Sequence, residues 1–97
     1  MIHELKTWPE YFQAVISNKK KFEIRENDRD FKINDELLLK EYDPITKTYT
    51  GREAQCIVTY TLDKQPFVPE GYICMAIWLY DWYKINKEAE DKCIDPK

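Results

Sequence analysis

The first third of the chain combines strand periodicity with helix periodicity. Ile2 and Leu5 predict a short opening strand. Apolar residues then recur every three or four positions, which predicts a helix over about residues 8–17 with its apolar side on the core. The members of this stripe are Trp8, Tyr11, Phe12, Val15 and Ile16. Thr7 and Glu10 have the spacing of a capping box at the helix start, and Asn18 tolerates the left-handed conformation that ends a helix.

Four strands are predicted after this helix. The first covers about residues 20–26, where Phe22 and Ile24 alternate with charged residues and are expected to face the core. The other three cover residues 36–42, 49–62 and 72–79, with polar or proline-containing turns between them. Residues 80–85 fit either a continuation of the last strand or a short terminal helix, and we favour the helix.

The predicted fold class is α+β and mostly β. Long strands packed on one helix are typical of a small, mostly antiparallel barrel or curled sheet. We expect Phe31 and Ile33 to anchor the polar turn at residues 27–30. On the strand at residues 49–62, one face would carry Ala54, Cys56, Val58 and Tyr60.

Length and charge limit the classes of function. The 97 residues are enough for one domain, which we expect to cover residues 1–83, followed by a charged tail at residues 84–97. A net charge of -3 and a pI near 5.2 argue against attraction of the whole molecule to nucleic acid or to an anionic membrane. Local binding would need a basic patch, and residues 19–29 hold a modest excess of positive charge.

The three cysteines, Cys56, Cys74 and Cys93, do not form a metal-ligand or disulfide pattern. The first two lie in apolar strands and are expected to be buried, whereas Cys93 is expected to be an exposed thiol in the tail. No metal and no cofactor are predicted. Without an apolar leader or a membrane-length apolar segment, the sequence predicts a soluble cytoplasmic protein.

The charged residues Lys20, Glu23 and Arg25 are the main candidates for chemistry. A strand places Glu23 and Arg25 on one face, about 7 Å apart. Lys20 is out of phase with them and joins them only if the chain bends at Asn18. Together they would form a basic pocket with one carboxylate, able to hold a phosphate or to move protons. From the residues alone, the favoured interpretation is an exposed strand face with weak ion pairs.

Residues 18–25 resemble the G-x-K-x-x-E-x-R signature of ASCH domains, which belong to the PUA-like superfamily. Lys20, Glu23 and Arg25 fill the three charged places, and Asn18 stands where the family usually has glycine. Further segments are similar to a small ASCH-related family of unknown function found in bacteria and phages. These segments are residues 3–6, 9–12, 27–29 and 49–52.

The resemblance implies a small β-barrel with a helix beside a cleft, and an RNA or nucleotide-like ligand in that cleft. The implied ligand-binding residues are Lys20, Glu23, Arg25, Asn27, Asp28 and Arg29. A few ASCH proteins are amidohydrolases acting on acetylated cytidine, with the motif lysine, a threonine and a distant glutamate. Here Lys20 matches the lysine and Glu23 stands in the threonine's place, so that Lys20 and Glu23 would be the catalytic residues of an enzyme.

Other interpretations of these segments stay open. Residues 27–29 fit a turn with an internal ion pair as well as they fit a ligand-binding loop. For His3, the single histidine, a structural role is favoured over an acid–base role. The aromatic residues near Trp82 and Tyr83 fit core packing together with a surface for a protein partner.

Overall fold

The computed structural model describes residues 1–85 as five strands and one helix. Their order is β1 (Ile2–Thr7), α1 (Pro9–Ile16), β2 (Phe22–Glu26), β3 (Glu36–Asp43), β4 (Thr48–Leu62) and β5 (Tyr72–Lys84). The predicted order of one strand, one helix and four strands is therefore confirmed. With eight residues, α1 falls short of the length and hydropathy that a membrane crossing requires. Most of the predicted tail, from residue 86 on, lies outside the described residues.

All five strands belong to one curled sheet in the order β1-β3-β4-β5-β2. β1 runs parallel to β3, and every other neighbouring pair is antiparallel. The register shifts once between β3 and β4 and twice between β4 and β5, and such bulges increase the bend and twist of a sheet. The result is a half-barrel, whose two edge strands are β1 and β2.

The hydrophobic core fills the concave side of this sheet. Phe12 and Val15 of α1 and Phe31 of the loop after β2 pack there against buried residues from all strands except β2. The sheet contributes Leu5, Leu37, Leu39, Ala54, Cys56, Val58, Ile73, Met75 and Ile77. Burying this much apolar surface is the main force that holds α1 on the sheet.

The position of α1 agrees with the prediction, but the predicted capping box and the full width of the predicted apolar stripe are absent from it. Trp8 is the N-cap residue, its side chain makes no capping hydrogen bond, and Pro9 occupies the first turn. Thr7 belongs to β1, so the proposed capping box is wrong. Trp8 and Tyr11 are half exposed, and the apolar stripe is narrower than the sequence suggests because only its later members reach the core.

The strand β2 has the opposite face in the core from the one predicted. Phe22 and Ile24 are 45% and 51% exposed, whereas Glu23 is only 3% exposed. Glu23 lies opposite Met75 of β5, and directly opposed residues of antiparallel strands share a face. Periodicity predicts that a strand has two faces, but the neighbouring strand decides which of them is buried.

The last strand is longer than predicted. β5 continues to Lys84, and the Ile85 N–H donates to the Gly51 carbonyl at 2.7 Å, so the predicted short terminal helix is wrong. Gly51 has φ +97°, and a Cβ there would lie 2.7 Å from the Ile85 oxygen, which explains why a glycine stands at this point of β4. The prediction for Tyr60 is also wrong, since a register shift after Val58 turns it to solvent.

Two turn predictions have mixed outcomes. Asn18 adopts the left-handed conformation with φ 66°, as predicted. Phe31 is buried and anchors its loop, but Ile33 is about half exposed and does not. Asn34 also has a positive φ, and the Asp35 N–H donates to the Lys32 carbonyl, so a tight turn precedes β3.

A buried ion pair joins the β3–β4 hairpin to α1. Arg52 donates to both carboxylate oxygens of Glu41 at 2.8 Å, and the Thr50 hydroxyl donates to one of them at 2.5 Å. The Arg52 guanidinium also lies 5.0 Å from the centre of the Phe12 ring. Hydrogen bonds from Arg52 hold the pKa of Glu41 below its ordinary value of 4.5, although burial acts in the opposite direction.

Replacing Glu41 with glutamine is expected to lower the free energy of unfolding by about 2 kcal/mol at pH 7, because Arg52 loses its charged partner. The folded pKa of Glu41 is lowered, so this advantage of the wild type is complete above pH 4.5. It disappears as the pH falls through the lower folded pKa. Urea unfolding of both proteins from pH 7 to pH 3 measures the difference. Glu70→Gln, in an exposed loop, is the control, and an equal or pH-independent effect of the two substitutions would contradict the prediction.

Candidate functional site

A cleft of about 550 Å³ opens between the start of α1, the end of β1 and the edge strand β2. Its rim carries three partly exposed aromatic rings, those of Trp8, Tyr11 and Phe22. Its floor carries Lys20, Glu23 and Arg25, and its remaining lining residues are Lys6, Thr7 and Ile24. We call it the aromatic cleft.

The floor is a buried carboxylate held between two cations. The Lys20 ammonium donates to one oxygen of Glu23, and Nε of Arg25 donates to the other at 2.9 Å. Glu23 is nearly inaccessible to solvent, whereas both cations are partly exposed. A charge this deep is stable only when it is paired and hydrogen-bonded, and the two cations supply both conditions.

The helix end explains how Lys20 reaches Glu23. After the left-handed Asn18, the backbone N–H groups of Lys19 and Lys20 both donate to the Ala14 carbonyl at 2.9 Å. This bend brings Lys20 over the first residues of β2, where its ammonium also donates to the Phe22 carbonyl at 2.7 Å. The structure thus brings Lys20, Glu23 and Arg25 together through the bend that the sequence requires for such a site.

Arg25 also connects the two edge strands of the sheet. Its Nη2 donates to the Lys6 carbonyl at 2.7 Å and contacts the Thr7 hydroxyl at 3.4 Å. Arg29 makes a similar contact two residues earlier on β1, where its Nη1 donates to the Glu4 carbonyl at 2.6 Å. Alternate carbonyls of β1 face away from β3, and within residues 1–85 these arginine side chains, not another strand, satisfy that edge. Lys6 and Thr7 were not identified from the sequence, since only the approach of β1 to β2 places them here.

A second hollow, of about 350 Å³, lies beside the aromatic cleft and shares Lys6 and Arg25 with it. Arg29 and Lys40 add two more cations, and Glu4 is the one carboxylate in its lining. Leu5 and Tyr49 complete the lining. We call this surface the basic hollow.

The predicted loop residues lie near this region but outside the aromatic cleft. Arg29 lines the basic hollow, and it also lines a third hollow of about 280 Å³ together with Asp28. The two side chains form a long, exposed ion pair, with Nε of Arg29 3.9 Å from a carboxylate oxygen of Asp28. The exposed Asn27 lines none of these three hollows, and its backbone N–H donates to the Gly71 carbonyl. Only Arg25 borders all three.

Two other candidates lie away from the cleft. His3 is buried, packs on Phe31 with ring centres 4.6 Å apart, and is hydrogen-bonded to Asp35 at 2.8 Å. This contact lowers the pKa of Asp35, and it gives His3 the structural role that the sequence favoured. Cys56 is fully buried, as predicted, and burial followed by the charge of Glu23 raises the pKa of its thiol to about 12. A thiol with this pKa is not a nucleophile at neutral pH.

Of the two remaining cysteines the structure describes only one, and it describes both aromatic residues of the predicted partner surface. Cys74 is half buried, and Cys93 lies outside the described residues. Trp82 is about half exposed, whereas Tyr83 is more buried and donates to Glu53 at 3.0 Å. Within residues 1–85, no three side chains of histidine, cysteine, aspartate or glutamate stand close enough to hold a metal ion.

Comparison with known proteins identifies similar chains but no activity. A family model described as "Domain of unknown function (DUF3850)" matches residues 2–77. The chain is also 32% identical over 74 residues to the "Uncharacterized 12.9 kDa protein in GpA 3'region" of Escherichia phage P2. The alignment covers 76% of this chain and 65% of the phage protein.

Replacing Glu23 with glutamine is expected to lower the free energy of unfolding by about 3 kcal/mol, because it leaves two cations in the floor without their counter-charge. Urea unfolding measures the change. Glu26→Gln alters the same residue type on the same strand, at an exposed position, and should change stability by less than about 0.5 kcal/mol. Equal losses for the two variants would show that Glu23 does not hold the floor together.

Proposed function

The chain belongs to the family described as "Domain of unknown function (DUF3850)", and we propose that it binds a nucleotide or an unpaired RNA base in the aromatic cleft. One observation carries this proposal. A buried carboxylate, held between a lysine and an arginine, lines the same cleft as three partly exposed aromatic rings.

The rim supplies the surface on which a base would stack. Trp8, Tyr11 and Phe22 are all about half exposed although each is a large apolar side chain. Proteins that bind unpaired nucleotides stack the bases on such rings. Exposed aromatic residues gathered around a cleft are more informative than isolated ones, because their apolar surface stays in water until a ligand covers it.

The floor supplies the polar contacts. A carboxylate accepts about four hydrogen bonds, and Lys20 and Arg25 use one on each oxygen of Glu23. Glu23 itself is buried, but the partly exposed Lys20 and Arg25 have further N–H groups that can donate to carbonyl or ring nitrogen atoms of a base. The cleft volume falls within the usual range for small-molecule sites, which is roughly 300–1,000 Å³.

The assignment to the ASCH domains of the PUA-like superfamily is part of this proposal. It is supported by the three charged places of the motif, all of which lie in the floor of one cleft. A helix also flanks that cleft beside a curled sheet, the arrangement that the resemblance implies. Because the chain is acidic as a whole, we expect local recognition of an unpaired nucleotide and little affinity for duplexes.

Replacing Trp8 with alanine is expected to weaken binding of nucleotides or of short single-stranded RNA about 10-fold to 100-fold, because one stacking surface is lost. Isothermal titration with the four ribonucleosides, their 5′-monophosphates and the four ribo-homohexamers measures this loss. Trp78→Ala is the matched control, since Trp78 is similarly exposed, at 60% against 52%, and does not line the cleft.

Two results would overturn the proposal. One is the absence of saturable binding by the wild type for every probe in the panel. The other is an equal loss for Trp8→Ala and Trp78→Ala, since this would move the binding surface out of the cleft. Circular dichroism of each variant ensures that the comparison is made between folded proteins.

A second candidate function is hydrolysis of an N-acylated nucleoside. It is favoured by the direct contact of the Lys20 ammonium with Glu23, and by the Thr7 hydroxyl in the same cleft. In this reaction the amide C–N bond breaks, water supplies hydroxide to the acyl carbon, and a proton goes to the leaving amine.

The hydrolase proposal predicts release of acetate from N4-acetylcytidine by the wild type, measured by liquid chromatography. Lys20→Met should lower the rate at least 100-fold, because the group that handles the proton is removed. Lys19→Met, at the neighbouring exposed lysine, should keep the wild-type rate. No turnover of acylated cytidine, adenosine or guanosine by folded wild-type protein would reject this second candidate.

A further inference from the structure

We propose that the basic hollow binds the phosphate group of the nucleotide whose base occupies the aromatic cleft. This inference rests on the proposed function and narrows the ligand class from nucleosides in general to phosphorylated nucleotides, free or within a single strand. Its basis is a pair of neighbouring lysines whose ammonium groups donate no side-chain hydrogen bond within residues 1–85.

The two lysines keep their hydrogen-bond donors available. Within residues 1–85, neither Lys6 nor Lys40 donates a side-chain hydrogen bond, in contrast to Lys20, which donates two. The Lys40 ammonium stands 3.7 Å from Glu4 and 4.0 Å from Glu53, which is too far for a hydrogen bond. Such long and partly exposed pairs contribute little binding energy, so they do not compete strongly with a phosphate.

The register of the sheet sets these two cations side by side. Lys6 of β1 lies directly opposite Lys40 of β3, and like charges in opposed positions destabilise a sheet. Lysine on an edge strand commonly protects the edge from pairing, which can explain Lys6. It cannot explain Lys40, because β3 lies between β1 and β4. A bound anion would remove this repulsion.

Aromatic rings hold both ammonium groups at the hollow. The Lys6 nitrogen lies 4.5 Å from the centre of the Tyr42 ring, and the Lys40 nitrogen lies 5.0 Å from that of Tyr49. These rings lie 5.1 Å apart in an edge-to-face pair. Contacts of this kind fix the position of a lysine without consuming its N–H donors. The lysines are therefore oriented before an anion arrives, which lowers the entropic cost of binding.

The position of the hollow links it to the cleft. Lys6 and Arg25 line both, so a ligand that enters the cleft passes directly beside the hollow. A base and its own phosphate are joined through a single ribose, and one nucleotide can therefore reach both surfaces. Arg29 also borders the hollow and, like Arg25, is directed there by its bond to a β1 carbonyl.

Titration of wild type and Lys40→Gln with the four ribonucleosides and their 5′-monophosphates tests the inference. The wild type should bind the best monophosphate about tenfold tighter than the matching nucleoside, since a charged hydrogen bond to phosphate is added. In Lys40→Gln this ratio should fall to about threefold or less, and the Lys64→Gln control should keep the wild-type ratio. For a ribo-homohexamer, the slope of log affinity against log salt should become shallower by about 0.7 in Lys40→Gln.

Inorganic pyrophosphate provides a test that does not need a base. Nuclear magnetic resonance should show saturable shifts of the Lys6 and Lys40 signals in the wild type, with affinity reduced at least tenfold in Lys6→Gln/Lys40→Gln. The double variant should be at least as thermostable as the wild type, because it removes a repulsive pair.

The outcomes separate the two proposals. If nucleosides bind but the monophosphates bind no tighter, the basic hollow is not a phosphate site and the proposed function stands. If pyrophosphate binds through the two lysines but no base-containing probe binds, the anion site stands without its nucleotide role, and the proposed function fails. If pyrophosphate does not bind and Lys40→Gln leaves the phosphate preference unchanged, the inference is overturned.

Discussion

The ion cluster around Glu23 is the interaction on which the rest of this structure depends. Its carboxylate faces the concave side of the sheet, where an unpaired charge would be too costly to bury. Lys20 and Arg25 neutralise it, and Arg25 extends to the Lys6 carbonyl on the other edge strand. The same few contacts thereby bring the edges of the half-barrel together, bury a polar strand face and build the floor of the aromatic cleft. Stability and a candidate binding site share one set of atoms.

The concave face is unusual because it buries four polar side chains among its apolar ones, and each has a partner. His3 bonds to Asp35, Thr7 contacts Arg25, and Glu41 is held by Arg52. No buried side-chain nitrogen or oxygen within residues 1–85 lacks a hydrogen bond. Glu41 and Glu23 are both carboxylates of the concave face that an arginine holds. Arg52 of β4 holds Glu41 of β3, and Arg25 holds Glu23 on the same strand. The difference lies in what surrounds them, since the Arg52 guanidinium packs 5.0 Å from the centre of the Phe12 ring, whereas Lys20, Glu23 and Arg25 line the aromatic cleft.

The distribution of charge reconciles an acidic chain with a proposed ligand that is itself acidic. Acidic residues exceed basic ones in the whole sequence, yet Lys6, Arg25, Arg29 and Lys40 border a single hollow. The electrostatic field of these four cations acts over about one Debye length, roughly 8–10 Å at ordinary salt. It favours a small anion that enters the hollow and does not attract a long duplex. The proposed preference for an unpaired nucleotide follows from this locality together with the aromatic rim.

The sequence by itself determined the local structure of this protein, because local structure depends on neighbours along the chain. Helix spacing identified α1, alternation and turn residues identified the strands, and Asn18 marked the bend that brings Lys20 to Glu23. Tertiary structure decided what periodicity cannot encode. The pairing of β2 with β5 turned Glu23 inward and Phe22 outward, and the approach of β1 to β2 added Lys6 to the site. A strand pattern has two equivalent faces, and only packing against other strands determines which of them is buried.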